Sequence, residues 1–356
     1  MFLPSVYAAE TSDVLEKQSD LLNLDALQKA GEDYVSDIKL TPQMNVNGIL
    51  GKIFENGKGA AQGIVKRAVR SCMLLLSITL LFGLGEGVRA GIPGEGFAVI
   101  PLAAALAITA VAVSDMYSLV GMGKEAIAQM ELFSKALLPT VTMSMAASGA
   151  AASAAVKQFA TILFSDFLIT VINNLLMPLC FAYIAANVAY AAVGNEGLKR
   201  IGNCIKWIIV TTLTVILLAF IGYLNMSGVI ACGADALTVK AAKFTISNMV
   251  PVVGGIISDA AESLLVGASM LRNAVGVFGM LVIFGICFLP FLHLGVQYLA
   301  YKCTATLTAT VTTDSRISGL IDAIGSAFGL VMGMTASCAL LIVIAMISAV
   351  SATVMG

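Results

Sequence analysis

NAVGVFGMLVIFGICFLPFLHLGVQYLAY, residues 273–301, contains no Asp, Glu, Lys or Arg. As a helix rising 1.5 Å per residue it reaches roughly 43 Å, more than the ~30 Å of a bilayer's hydrocarbon core. Windows 96–114, 207–234 and 323–356 are equally free of charge and read as spans too. The rest of the chain agrees. Of 356 residues, 59% are hydrophobic and 12% charged, about half the ~25% charged content of soluble domains. Mean hydropathy is +0.95. Too few polar side chains are present to coat a soluble globule of this size. The sequence therefore predicts an all-α, polytopic helical membrane protein. Its net charge of −1 gives no electrostatic footprint for nucleic acid.

Six to eight spanning or re-entrant helices are expected. Window 71–85 is short but extends across its neighbours. Residues 159–193 would form a helix of roughly 50 Å, so a break is expected near Asn173-Asn174 or Pro178. Two segments match lipid poorly. Residues 136–156 hold eight alanines and five Ser/Thr residues, and 250–271 hold Asp259, Glu262 and Gly254-Gly255. Such segments belong inside a bundle, shielded by other helices.

Pro139 and Pro251 are 112 residues apart, as are Pro178 and Pro290. The same shift carries 97–114 onto 209–226 and the weak segment 136–156 onto 248–268. An internal duplication of period 112 follows as an expectation. Proline-interrupted segments at matching places in two halves point to a transporter site; two proline-capped helices of similar length are the plainer account.

Charge sorts the chain into three parts. Residues 1–9 end in Val6-Tyr7-Ala8-Ala9 before an acid, like the end of a signal peptide, but lack its basic and long apolar regions. Residues 10–66 form a polar, partly helical arm and linker, and 67–356 the multi-span membrane domain. Leu24, Leu27, Tyr34 and Ile38 fall on one helical face, Thr41-Pro42 stops that helix, and 45–63 reads as a Gly/Asn-rich linker with short helical pieces. Lys52, Lys58, Lys66, Arg67 and Arg70 face only Glu55. This basic cluster either contacts anionic lipid, at ~1 kcal/mol per charge, or is a solvated helix end. The positive-inside rule puts the arm in the cytoplasm; a signal peptide would put it outside.

Residues able to carry chemistry are sparse. His293 is the single histidine and lies in an apolar run, where a core or interfacial role is expected. Seven scattered cysteines form no C-x-x-C, no P-loop is present, and no Ser/His/Asp arrangement stands out. No enzyme activity, cofactor or metal is expected. Asp259, Glu262, Ser269 and Arg272 share a helical stripe with Asn273 beside it, a candidate intramembrane polar track. The alternative is that Arg272 marks a helix end and the acids lie in a loop. Asp166, Asn173 and Asn174 form a weaker set. Gly325, Gly329, Gly333 and Ser337 form a small-residue row suited to close helix packing, within the protomer or between copies.

Further residues carry a resemblance. They are Lys243-Phe244-Thr245 leading to Val250-Pro251-Val252-Val253-Gly254-Gly255 and Ser258-Asp259-Ala260, then Gly267-Ala268-Ser269-Met270-Leu271-Arg272-Asn273-Ala274-Val275-Gly276. Leu138-Pro139 with the small-residue stretch to Ala155, and Asp314-Ser315-Arg316-Ile317, belong with them. From about Gly48 onward the chain resembles the stage III sporulation protein AE family of endospore-forming Firmicutes. The resemblance implies a non-enzymatic, multi-pass component of the mother-cell membrane around the forespore. It further implies a transenvelope, secretion-like channel needed for late forespore development, shared with the other stage III A-operon proteins, a separate ATPase and a forespore membrane partner. The family's signal peptide favours an arm outside the cytoplasm. The rival expectation is a self-sufficient secondary transporter of a small solute, with Asp259, Glu262 and Arg272 at its site.

Overall fold

The computed structural model describes residues 24–32, 34, 46–89, 99–249 and 254–351. Regular structure among them is entirely helical. The elements are α1 Leu24–Gly31, α2 Val46–Arg89, α3 Val99–Ala147 and α4 Ala151–Val171, then α5 Met177–Val193, α6 Glu196–Met249, α7 Gly254–Val311 and α8 Ser315–Val350. A π-helical turn, Ile172–Leu176, links α4 to α5 without a break. Six helices among the described residues are long and apolar enough to cross a membrane: α2, α3, α4 continued through α5, α6, α7 and α8. The expected all-α polytopic class is therefore observed.

The core is the antiparallel α7–α8 hairpin. In each of these helices 56% of the most apolar window is buried inside the protein, against 28% in α2 and 22% in α6. The outer faces of α2 and α6 present Leu80, Leu81, Leu84, Trp207, Leu218 and Met226 outward. A soluble protein would hide such residues, whereas lipid accepts them. The short 312–314 connection sets the hairpin register. Asp314 caps α8 by accepting from the Arg316 N–H at 2.9 Å, and its carboxylate also holds the Arg316 guanidinium at 2.6 Å.

Several expectations need correction. Residues 136–156 are not a crossing. They contain the turn between α3 and α4, where Gly149 takes φ 86° and the chain reverses; glycine alone adopts that conformation at no steric cost. Of the weak segment 250–271, residues 250–253 lie outside the described residues. The remainder opens α7 and runs unbroken into 273–301. Nor is 159–193 broken. Pro178 has no N–H and its ring crowds the carbonyl four residues back; the wider π turn, which includes Asn173 and Asn174, supplies room.

The 45–63 linker is helix from Val46 onward. Ile49, Ile53 and Ile64 bury one face, and Gly57 lies where a side chain would strike Phe288. Packing here outweighs the ~1 kcal/mol that each helical glycine costs. The 112 register also fails at the turns. Shifting 148–150 by 112 lands on 260–262 inside α7, whereas α6 ends at Met249 and α7 starts at Gly254. In the arm, Leu27 is buried, α1 packs mainly against α3, and Gly31 also sits against Phe278 and Val282 of α7. Ile38, Thr41 and Pro42 lie outside the described residues, as do residues 1–9.

Candidate functional site

Asp115 interrupts the apolar surface of α3. Its Oδ2 accepts two hydrogen bonds from α7, from Gln297 Nε2 at 2.8 Å and from Tyr301 Oη at 2.9 Å. Gln297 is 5% exposed and Tyr301 fully buried. A carboxylate among transmembrane helices is costly unless paired or wet, and two neutral donors only partly offset that cost. The wet side is visible. Asp115, Ser118, Gln297, His293 and Arg67 surround a cavity of ≈30 Å³. That is room for one or two waters with several polar partners. Arg67, on α2, is exposed and contributes to the lining.

From this cavity a polar row continues along α7 through His293, Gln297, Tyr301, Thr304 and Thr308, and ends at Thr312 just past the helix. Steps of three and four keep the row on one face. Thr304, Thr308 and Thr312 are all buried. The row covers nineteen residue steps, roughly 28 Å at 1.5 Å each, close to the hydrocarbon thickness. Opposite it, α2 contributes Cys72, which faces both Thr304 and Asp115. Gly83 lies against Val311 and Thr312. Thr79, fully buried, falls on the same α2 stripe as these two. At the far end Glu86 accepts from the Thr313 N–H and hydroxyl, both at 3.3 Å.

The hydroxyls are not all satisfied. Thr304 donates to the Ala300 carbonyl at 2.8 Å and Thr312 to the Thr308 carbonyl at 3.2 Å. This local back-bonding is the usual way to hide a hydroxyl in a helix. Thr308 Oγ1, by contrast, is buried with no hydrogen-bond partner.

The track expected from the sequence is described only in part. The side chains of Asp259 and Glu262 lie outside the described residues; their backbone is part of α7. Ser269 is half-buried and Asn273 exposed. Arg272 is buried and turns to the α3–α4 reversal, where its Nη1 donates to Ser148 Oγ at 3.2 Å. The same end holds two more buried charges. Lys157 of α4 donates to the Ser348 carbonyl. Asp235 of α6 accepts from the N–H groups of Ala152 and Ser153 at 2.7 and 3.0 Å. These contacts tie α4 to α6 and to the end of α8. In the weaker set, Asp166 lines a pocket with Glu131 and Lys135, while Asn173 and Asn174 are exposed.

On α8, Gly325 and Gly329 face α7. A Cβ on Gly325 would lie 3.1 Å from Tyr301 Cβ and 3.6 Å from α7 backbone; one on Gly329 would lie 3.2 Å from the Tyr298 ring. Gly333 faces open space, and Ser337 is buried and donates to the Gly333 carbonyl. The row thus splits between packing within the protomer and a vacant face.

Comparison with known proteins adds identity to this geometry. The family model for stage III sporulation protein AE matches residues 96–353. Stage III sporulation protein AE of Bacillus subtilis (strain 168) is 28% identical over 198 residues, covering 55% of this chain and 49% of that protein. The match thus spans about half of that relative's length. No solved structure matches. Because the family model covers everything from α3 to the end of α8, five of the six crossing helices, the chain belongs to the stage III sporulation protein AE family.

Proposed function

We propose that this chain is a non-enzymatic membrane platform or conduit in the sporulation channel between mother cell and forespore. It resides in the mother-cell membrane that surrounds the forespore. It works with the other stage III A-operon proteins, a separate ATPase and a forespore membrane partner, and it supports late forespore development. The observation that carries this reading is the family match across residues 96–353, on a chain with six membrane-capable helices. A core hairpin that buries Tyr301, Phe278 and Phe328 between its neighbours suits a rigid platform.

The test uses the native endospore-forming host. Deleting the gene is expected to arrest forespores late, and the full chain supplied in trans to restore them. A tagged chain purified from sporulating cells is expected to bring down the ATPase and the single-span proteins encoded beside it. Normal spores without the gene would overturn the reading. So would uptake of a small organic solute by the purified chain alone, which is the behaviour of the rival transporter.

A further inference from the structure

We propose that the seam between α2, α3 and α7 is a proton path: a file of water along the α7 polar row, with Asp115 as the group that takes up and releases the proton. Three independent observations lead there. The first is the cavity of ≈30 Å³ at one end, lined by Asp115, His293 and Arg67. The second is the row itself, buried from Gln297 to Thr312 and about as long as the hydrocarbon core is thick. The third is Thr308, fully buried with an unpartnered hydroxyl halfway between Asp115's ligand Tyr301 and the Glu86 end. A buried hydroxyl without a partner costs free energy, and replacing it by a local carbonyl bond is easy, as Thr304 and Thr312 demonstrate. Water in the seam gives Thr308 its partner.

The chemistry selects the proton over other cations. A cavity for one or two waters is too small for a hydrated ion or for the six or more oxygens a calcium ion takes. Arg67 adds a fixed positive charge on its lining. A carboxylate needs no coordination shell to take up a proton; it forms one O–H bond. The step balances simply. A hydronium in the cavity gives its proton to the Asp115 carboxylate and becomes water, and the neutral acid returns the proton to the next water along the row. Titratable or charged groups facing Asp115 are Arg67 and Cys72 from α2 and His293 and Tyr301 from α7. His293 at the cavity and Glu86 at the other end are the exchanging groups with bulk water.

The experiment reconstitutes the full chain in liposomes containing a pH-sensitive dye and applies a potassium diffusion potential with valinomycin. Wild-type vesicles are expected to take up protons faster than protein-free vesicles. Asp115→Asn and Thr308→Val should each lower uptake to the protein-free level, and Asp115→Glu should retain uptake above it. Thr308→Val keeps the shape and removes the stranded hydroxyl, so its melting temperature in detergent should equal or exceed wild type. Wild-type flux no greater than that of empty vesicles overturns the path. So do both variants conducting like wild type, or flux lost from Thr308→Val together with a lower melting temperature, which would assign Thr308 to packing. None of these results depends on the channel partners, so they leave the sporulation reading to its own test.

Discussion

Asp235 stabilises a helix it does not belong to. The N-cap of α4 is Ala150, whose side chain can accept nothing, so the first N–H groups of α4 need an acceptor from elsewhere. Asp235, 3% exposed on α6, supplies both carboxylate oxygens, to Ala152 and Ser153. Its charge also complements the positive end of the helix dipole. Asp235→Ala strips the acceptor from one buried and one part-buried donor, and a loss of roughly 2 kcal/mol is expected. Asp235→Asn keeps one oxygen and should lose about half as much. Thermal melting in detergent reads both; an Asp235→Ala protein melting with wild type would show that the cap is dispensable. At this scale the sequence is a poor guide. An acid just beyond an apolar window reads as a helix end, and its partner lies 83 positions away. Asp115 hides in the same way, because its donors come from 182 and 186 residues further along the chain.

Among elements, α8 offers a graded test of packing. Gly325 meets α7 backbone, Gly329 meets a ring that can rotate, and Gly333 meets nothing within 4 Å. Overpacking costs ~1–3 kcal/mol, and the cost rises when the obstacle is backbone. Leucine is therefore expected to destabilise most at Gly325, less at Gly329 and little at Gly333, read as protein abundance and melting temperature. Equal effects at all three positions would mean α7 and α8 are not packed in this register. The small-residue row is legible because steps of four keep residues on one face of a helix. The α7 row was written just as plainly, at steps of four and three. Yet an amide and hydroxyls hardly lower hydropathy, and the one acid that gives the row meaning arrives from α3. The charged set 259–272 stands out more in the sequence, and its Arg272 turns to the α3–α4 reversal. That reversal is hard to read from the sequence for a related reason. Alanine and serine suit a helix interior and a helix end alike, and only Gly149's positive φ separates them.

For the molecule as a whole, the number of crossings has a consequence that labelling can check. Six crossings are an even number, so the start of α2 and the end of α8 must lie on one side of the membrane. Lys29 on α1 and Ser351 after α8 are both exposed and flank the set. The charge count alone would put this side in the cytoplasm, through Lys66, Arg67 and Arg70. That count overstates the bias, because Arg67 also lines the cavity beside Asp115. The signal-peptide-like end at Val6-Tyr7-Ala8-Ala9 argues for the opposite side, and the expected position is outside the cytoplasm. Lys29→Cys and Ser351→Cys, each in a background freed of the native cysteines, should both react with an impermeant maleimide on intact protoplasts. Protection of both until lysis would keep the six crossings and reverse the orientation. Reaction of one with protection of the other would be the more damaging result, since an odd number of crossings requires one of these long helices to lie outside the bilayer. The helix most open to that doubt is α2. Its apolar window is 28% buried, and its first half carries Lys52, Glu55 and Lys58. If α2 did not cross, the Cys72–Glu86 wall of the seam would face water, and the Asp115 cavity would be a surface cleft. The two labels therefore decide the topology and, with it, whether the α7 row lies within the membrane.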